Sequence, residues 1–301
     1  MIRRFCLSLV LGVFLSSALC QVAHAGLVFS ADQLLDSTDS GANVQLGLVN
    51  YETINEDGAT PGILEVGDTL RGIFRITTGI SNGVGRTITG FELTGIFETE
   101  VASITPNSIG TALGNSYSNI TFKPTASFES VYGTGAMLAF YEDPSEDFTP
   151  IGSIASTEAS ATNGDLYAVF GGLGTFGVDY FWTSNGYADV SENATAPIPT
   201  TFAASLQLIS QPGTNLLFKD NQTQTQSAEF PASYASIANE LVLQGNVTAI
   251  KPGDLIGSPY PLQSNDPVRV FAVVPEPASL LAWGGLCLFG GVGYRRRRNR
   301  K

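Results

Sequence analysis

The chain has 301 residues, 43% hydrophobic and 14% charged, with 15 Lys and Arg against 27 Asp and Glu, a formal net charge of −12. That length holds one large or two small domains, and the acidic balance argues against nucleic acid and anionic lipid as partners. Three cysteines and one histidine leave little room for disulfide, thiol or imidazole chemistry.

Residues 1–25 read as a cleavable signal peptide. Arg3 and Arg4 precede an apolar run over 5–19, and Ala23 and Ala25 supply the small residues that a signal peptidase reads, so the mature chain begins at Gly26. Leu19 is too bulky to precede a lipobox cysteine, which sets Cys20 aside as a lipid anchor, and the Arg3–Arg4 pair lacks the rest of a twin-arginine signal. Sec export is expected. Cys6, Cys20 and His24 leave with this segment, and Cys287 lies in a second apolar run near the C-terminus. The exported body then has neither Cys nor His, which excludes Ser-His-Asp and Cys-His catalysis and the usual zinc, copper and haem ligand sets. Carboxylate chemistry, or calcium held by oxygen atoms, stays open. The body keeps seven basic residues (Arg71, Arg75, Arg86, Lys123, Lys219, Lys251 and Arg269) against all 27 acidic ones, a formal −20.

From 26 to 273 the texture is β: short runs rich in Val, Ile, Thr, Phe and Tyr, separated by Gly, Asn, Asp, Ser and Pro. The pattern predicts strands at 44–53, 69–78, 87–101, 118–123, 135–141, 166–170, 176–183, 201–210, 215–219, 240–250 and 268–274, with minor helical turns at 31–35 and 227–239. No internal repeat is evident. The expected fold is all-β, a β-sandwich or jelly-roll-like exported domain. Its most informative pair is 69–78 with 87–101. Alternation puts Leu70, Gly72, Phe74 and Ile76 on one face and Arg71, Ile73 and Arg75 on the other, while Phe91, Leu93, Phe97 and Val101 oppose Glu92, Glu98 and Glu100. Paired as an antiparallel hairpin, the aromatic faces join, and the arginines and glutamates share a solvated outer face as weak cross-strand ion pairs.

Three stretches are candidate sites. The hairpin glutamates suit a glycosidase in number and spacing, but a solvated strand offers no means of raising a carboxyl pKa. Glu142, Asp143, Glu146 and Asp147 crowd four carboxylates around Pro144 and can collect a calcium ion, without the EF-hand pattern; a solvated turn is the alternative. Tyr180, Trp182 and Tyr187, beyond a glycine-rich loop, can form a sugar-stacking platform or pack into the core. No cofactor is expected.

The last segment, 274–301, has three parts in order. Val274-Pro275-Glu276-Pro277 opens a motif over 274–279 that its prolines hold extended. An uncharged apolar run over 280–294 follows, about 22 Å long as a helix and so a short membrane span. Arg295, Arg296, Arg297, Arg298, Arg300 and Lys301 then form a basic tail that keeps the C-terminus cytoplasmic and the body outside. This composite resembles the sorting signal of PEP-CTERM proteins, a cassette also known as an ice-binding protein C-terminal region, a label that implies nothing about ice here. The resemblance implies recognition and processing by an exosortase, a membrane enzyme of exopolysaccharide-making bacteria. The chain reads as its substrate: an exported, non-enzymatic surface or matrix protein, held transiently in the inner membrane, structural or adhesive, and associated with exopolysaccharide. The alternatives are a glycan- or calcium-binding module and a carboxylate-dependent glycoside hydrolase.

Overall fold

The computed structural model describes residues 43–55, 62–81, 84–88, 90–189, 192, 200–214, 217–218, 234, 236–249 and 257–273. The signal peptide, the turn at 31–35 and the sorting signal 274–301 lie outside the described residues. Among the described residues no helix is long and apolar enough to cross a membrane.

Among the described residues twelve strands form, eleven of them at the eleven predicted runs with a few shifts. They are β1 (Asn43–Asn55), β2 (Thr69–Ser81), β3 (Val84–Thr87), β4 (Glu92–Pro106), β5 (Tyr117–Pro124), β6 (Ala136–Asp143), β7 (Asp165–Gly171), β8 (Phe181–Tyr187), β9 (Thr200–Ser210), β10 (Leu217–Phe218), β11 (Leu241–Ala249) and β12 (Leu262–Val273). The run at 87–101 starts later, at Glu92, beyond Gly90 in a left-handed conformation, while β3 forms at Val84–Thr87, mostly in the stretch expected to be the loop of the hairpin. The expected strand at 176–183 starts later, at Phe181, after a turn containing Gly174 and Gly177, both at positive φ.

The all-β reading holds, but the two stacked sheets of a sandwich or jelly roll do not. One antiparallel sheet contains all twelve strands. Its pairings form a circuit from β1 through β2, β4, β6, β7, β9, β11 and β12 back to β1. The wall forks at β4, whose first half pairs with β6 and whose second half pairs with β5, both on the edge away from β2. At β9 it divides again, between β8 and β7. Closing the sheet removes the long free edges that a sandwich leaves to be protected.

Inside lie Phe74, Phe97, Phe122, Phe140, Phe170 and Trp182, all buried. Their rings meet edge-on or tilted, Phe74 and Phe140 at 4.9 Å and Phe97 and Trp182 at 5.8 Å between centroids. Each such side chain contributes about 1.5–3 kcal/mol by leaving water. The β2–β4 register makes room for two of them: Gly72 lies opposite Phe97, and Phe74 lies opposite Gly95. Each ring lies over the glycine across from it, so a Cβ on Gly72 would collide with Phe97 and one on Gly95 with Phe74.

Among the described residues three short helices cover part of the outside, an addition that the alternating pattern does not announce. They are α1 (Ser108–Leu113), α2 (Ala126–Tyr132) and α3 (Ile154–Thr162), each started by a polar cap: Asn107, Thr125 and Ser153. Phe128 of α2 and Ala161 of α3 join Ile73, Ile96, Ala139 and Val169 in a second, outer apolar cluster. Thr94 Oγ1 donates to the Ala161 carbonyl at 2.9 Å, and Thr157 and Tyr260 share a buried hydroxyl contact at 2.7 Å, so polar bonds also hold α3 against the wall.

Because a methyl group at position 95 also meets the Ala139 backbone carbonyl, Gly95→Ala is expected to destabilise the fold by at least about 3 kcal/mol in urea unfolding. Gly114→Ala, at an open left-handed helix end, should cost only about 1 kcal/mol. Equal effects at the two positions would contradict the ring-over-glycine packing.

Candidate functional site

The face carrying Arg71, Arg75, Glu92 and Glu98 is the one predicted to be wet, and α2 and α3 dry part of it. Glu92 is 0% exposed and Glu98 6%. Arg71 lies opposite Glu98 in the register and forms an ion pair with it, while gripping Glu158 of α3 through Nε at 2.5 Å and Nη2 at 2.9 Å. This fork holds α3 to the barrel. Glu98 also accepts from Ser127 and, at 2.6 Å, from Thr125, the cap of α2. Burial pushes the Glu98 carboxyl up, but Ser127, Thr125 and Arg71 outweigh it and hold the group below its ordinary value. Glu98 is thus a structural anion. Glu100 pairs with Lys123 at 2.8 Å on the more open part of the wall.

Glu92 is placed differently. It sits directly opposite Asp143 across the β4–β6 ladder, a juxtaposition of like charges, and the turn after β6 brings Asp147 to the same spot. Each of the three offers a carboxylate oxygen, and these atoms all lie within 4.8 Å of one another. Glu92 Oε1 accepts from the Phe148 amide at 2.7 Å, and Arg75 Nε lies 3.4 Å from Oε2. Asp143 accepts from the Ser145 amide at 2.8 Å, and Asp147 holds the Asn163 side chain at 3.0 and 3.2 Å. Glu92 Oε2 and Asp143 Oδ2 are buried without a hydrogen-bond partner. Burial drives the Glu92 pKa upward; the Phe148 amide and Arg75 act against this, and Asp143 and Asp147 add to it. Of the four loop carboxylates singled out in the sequence, the structure gathers Asp143 and Asp147 but not Glu142 and Glu146. Glu142 neighbours Asp143 along a strand and so faces the other way, and Glu146 turns out at φ 51° to accept from the Gly90 amide at 3.0 Å. Glu92 takes their place, which the sequence alone hides because only the register sets it opposite Asp143.

A raised carboxyl beside two others meets one requirement of a glycosidase that a solvated strand would not. Access is the missing one, since a carboxyl with 0% exposure offers a sugar no approach.

At the opposite end of the barrel the interior turns polar. Leu46 and Leu48 point inward from β1, and the same alternation carries Asn50 and Glu52 inward after them. Two cavities, of about 40 and about 60 Å³, share Glu52, Leu70, Phe122 and Ser184 in their walls. Leu64, bonded through its amide to the Ala188 carbonyl at 2.7 Å, lines the second. Ser264 Oγ meets both Asn50 Oδ1 and, at 2.9 Å, Glu52 Oε1. One hydroxyl proton cannot serve two acceptors, so the second donor is either a protonated Glu52 or the Asn50 amide turned to present its NH2. Burial pushes the Glu52 pKa up to about 7, against the opposing pull of Ser264.

Tyr180, Trp182 and Tyr187 are 5%, 5% and 3% exposed. The sugar-stacking platform is therefore corrected to its alternative, core. Trp182 packs between Phe97 and Phe122, and Tyr187 meets Tyr117 edge-on at 5.0 Å. Alternation along β8 does not separate an inner from an outer face here, because the wall buries both: Phe181 packs outside with Ala203, Ile237 and Val242 while Trp182 packs inside. The chain matches no protein-family model, no curated protein and no solved structure.

Since the folded protein holds the Glu52 proton more tightly than the unfolded chain, this residue's contribution to stability falls as pH rises from about 4.5 to about 7. Glu52→Gln should match the wild type near pH 4.5 and exceed it by up to about 3 kcal/mol at pH 8, read from urea midpoints. A difference that does not grow with pH would contradict the burial of an ionisable group at this position.

Proposed function

We propose that the chain is an exported, non-enzymatic protein of the cell surface or extracellular matrix, delivered by an exosortase that recognises Pro275-Glu276-Pro277. In this reading the inner membrane holds 280–294 only transiently, and the barrel is the cargo, structural or adhesive and in contact with exopolysaccharide. The observation that carries it is the position of the motif relative to the sheet. β12 is bonded to β1 on one edge and to β11 on the other, and it ends at Val273, one residue before the motif begins at Val274. Removing everything after the motif leaves every ladder of the barrel intact, as a processing step on a folded cargo requires.

The chemistry of the body supports the same reading. An export route suits a body with neither cysteine nor histidine. Of the hairpin carboxylates, Glu98 is spent on structure and Glu92 is sealed from substrate. The acidic cluster at Glu92, Asp143 and Asp147 favours the binding-module alternative as a second property of the same surface protein.

Mass spectrometry of the protein released by its native host tests the proposal. A mature form that begins at Gly26 and lacks 280–301 is expected; a released form that still carries Tyr294 and the terminal arginines would show that no processing occurs.

A further inference from the structure

We infer that Glu92, Asp143 and Asp147 form a calcium site at one end of the barrel. Two oxygen atoms on opposite sides of a calcium ion, each at about 2.4 Å, are about 4.8 Å apart. The three carboxylate oxygens fall within that span, 4.8 Å of one another, so one ion can touch them all. Glu92 and Asp143, 0% and 2% exposed, each keep a buried oxygen without a hydrogen-bond partner. Such groups are costly to leave unmatched; Arg75 Nε meets Glu92 Oε2 at 3.4 Å, no hydrogen-bond donor meets Asp143 Oδ2, and a cation held between the two residues compensates the charge that one guanidinium leaves. Asp147 is exposed and gives the ion a way in.

The local charge fits a divalent ion. Three carboxylates beside one guanidinium, Arg75, leave two negative charges. An all-oxygen donor set selects a hard cation over zinc or copper. Magnesium demands near-ideal octahedral geometry, whereas calcium tolerates irregular oxygen ligands and completes its shell with water, which suits three carboxylates fixed by the β4–β6 ladder and the turn after it, with Asp147 open to solvent. Few protein ligands place the affinity in the range of extracellular calcium modules, about 10⁻⁴–10⁻³ M.

The site also has a place in the architecture. Glu92 opens β4, Leu93 lies opposite Ile76 of β2, Ser81 at the far end of β2 lies opposite Val44, and Val44 lies opposite Val270 of β12. The cluster therefore sits at the end of the barrel from which β12 leaves for 274–301. Bound calcium ties the 143–148 turn to β4 at that end. The inference does not depend on the sorting reading, and its test does not involve processing.

Thermal unfolding of the full chain, purified in detergent, is compared in EDTA, in 2 mM calcium and in 2 mM magnesium. Calcium is expected to raise Tm by about 2–6 °C, and magnesium by less. Asp143→Asn and Glu92→Gln should abolish the calcium-dependent rise, while their Tm in EDTA equals or exceeds the wild-type value, because each removes a like-charge repulsion. That EDTA value also shows that the variants fold. Equal wild-type Tm in EDTA and calcium, or a calcium rise retained by both variants, would overturn the assignment.

Discussion

The structure depends on the register of β2 against β4. With Gly72 opposite Phe97 and Phe74 opposite Gly95, two phenylalanine rings lie over bare backbone across the ladder, and the pair cannot slip by one residue without driving rings into side chains. The same register sends every charge of both strands outward: Arg71 meets Glu98, and Arg75 comes within reach of Glu92. Inside and outside are thereby defined for the strands that follow, since β6 and β5 add to the free edge of β4 and inherit its faces.

A closed wall with an aromatic interior has its hydrophobic needs met from within, so its outer face is free for other uses. Part of it is dried by α2 and α3, and the charges trapped there follow two courses. Glu98 is surrounded by donors and becomes a fixed anion that orients Arg71 toward α3. Glu92 is opposed by Asp143 and approached by Asp147, with one guanidinium at 3.4 Å, and stays undercompensated. The contrast between two glutamates six residues apart on one strand locates the unusual chemistry of this surface. Inside, Glu52 repeats the theme, a carboxyl whose pKa burial raises to about 7 next to Ser264 and Asn50.

Much of the architecture was legible because strands announce themselves through period-two alternation. The β2–β4 pairing, its aromatic inner face and its Arg–Glu outer face follow from residues 69–78 and 91–101 alone. Closure did not follow, because pairing partners such as β1 with β12 are more than 200 residues apart and no local signal names them. The helices at 108–113, 126–132 and 154–162 were too short for a 3.6-residue pattern to emerge, and missing them made the Arg–Glu face look wet. The acidic loop was visible as a charge cluster, but which of its carboxylates converge was decided by register and by the turn at Glu146. Glu52 carried a readable signal: Leu46 and Leu48 point inward, and two further steps along the same strand reach it.

These features describe an acidic barrel whose last strand stops where a Pro-Glu-Pro motif starts. The proposed export requires a chain threaded through the membrane with the barrel outside and the terminal arginines inside. Labelling of intact cells with a membrane-impermeant maleimide reads this directly, in a chain whose three native cysteines are replaced by serine. Ser145→Cys, on the exposed turn after β6, should label in the membrane-held precursor, and a cysteine appended after Lys301 should label only once the inner membrane is opened. Labelling of the appended cysteine in intact cells, or protection of Ser145→Cys, would contradict the account.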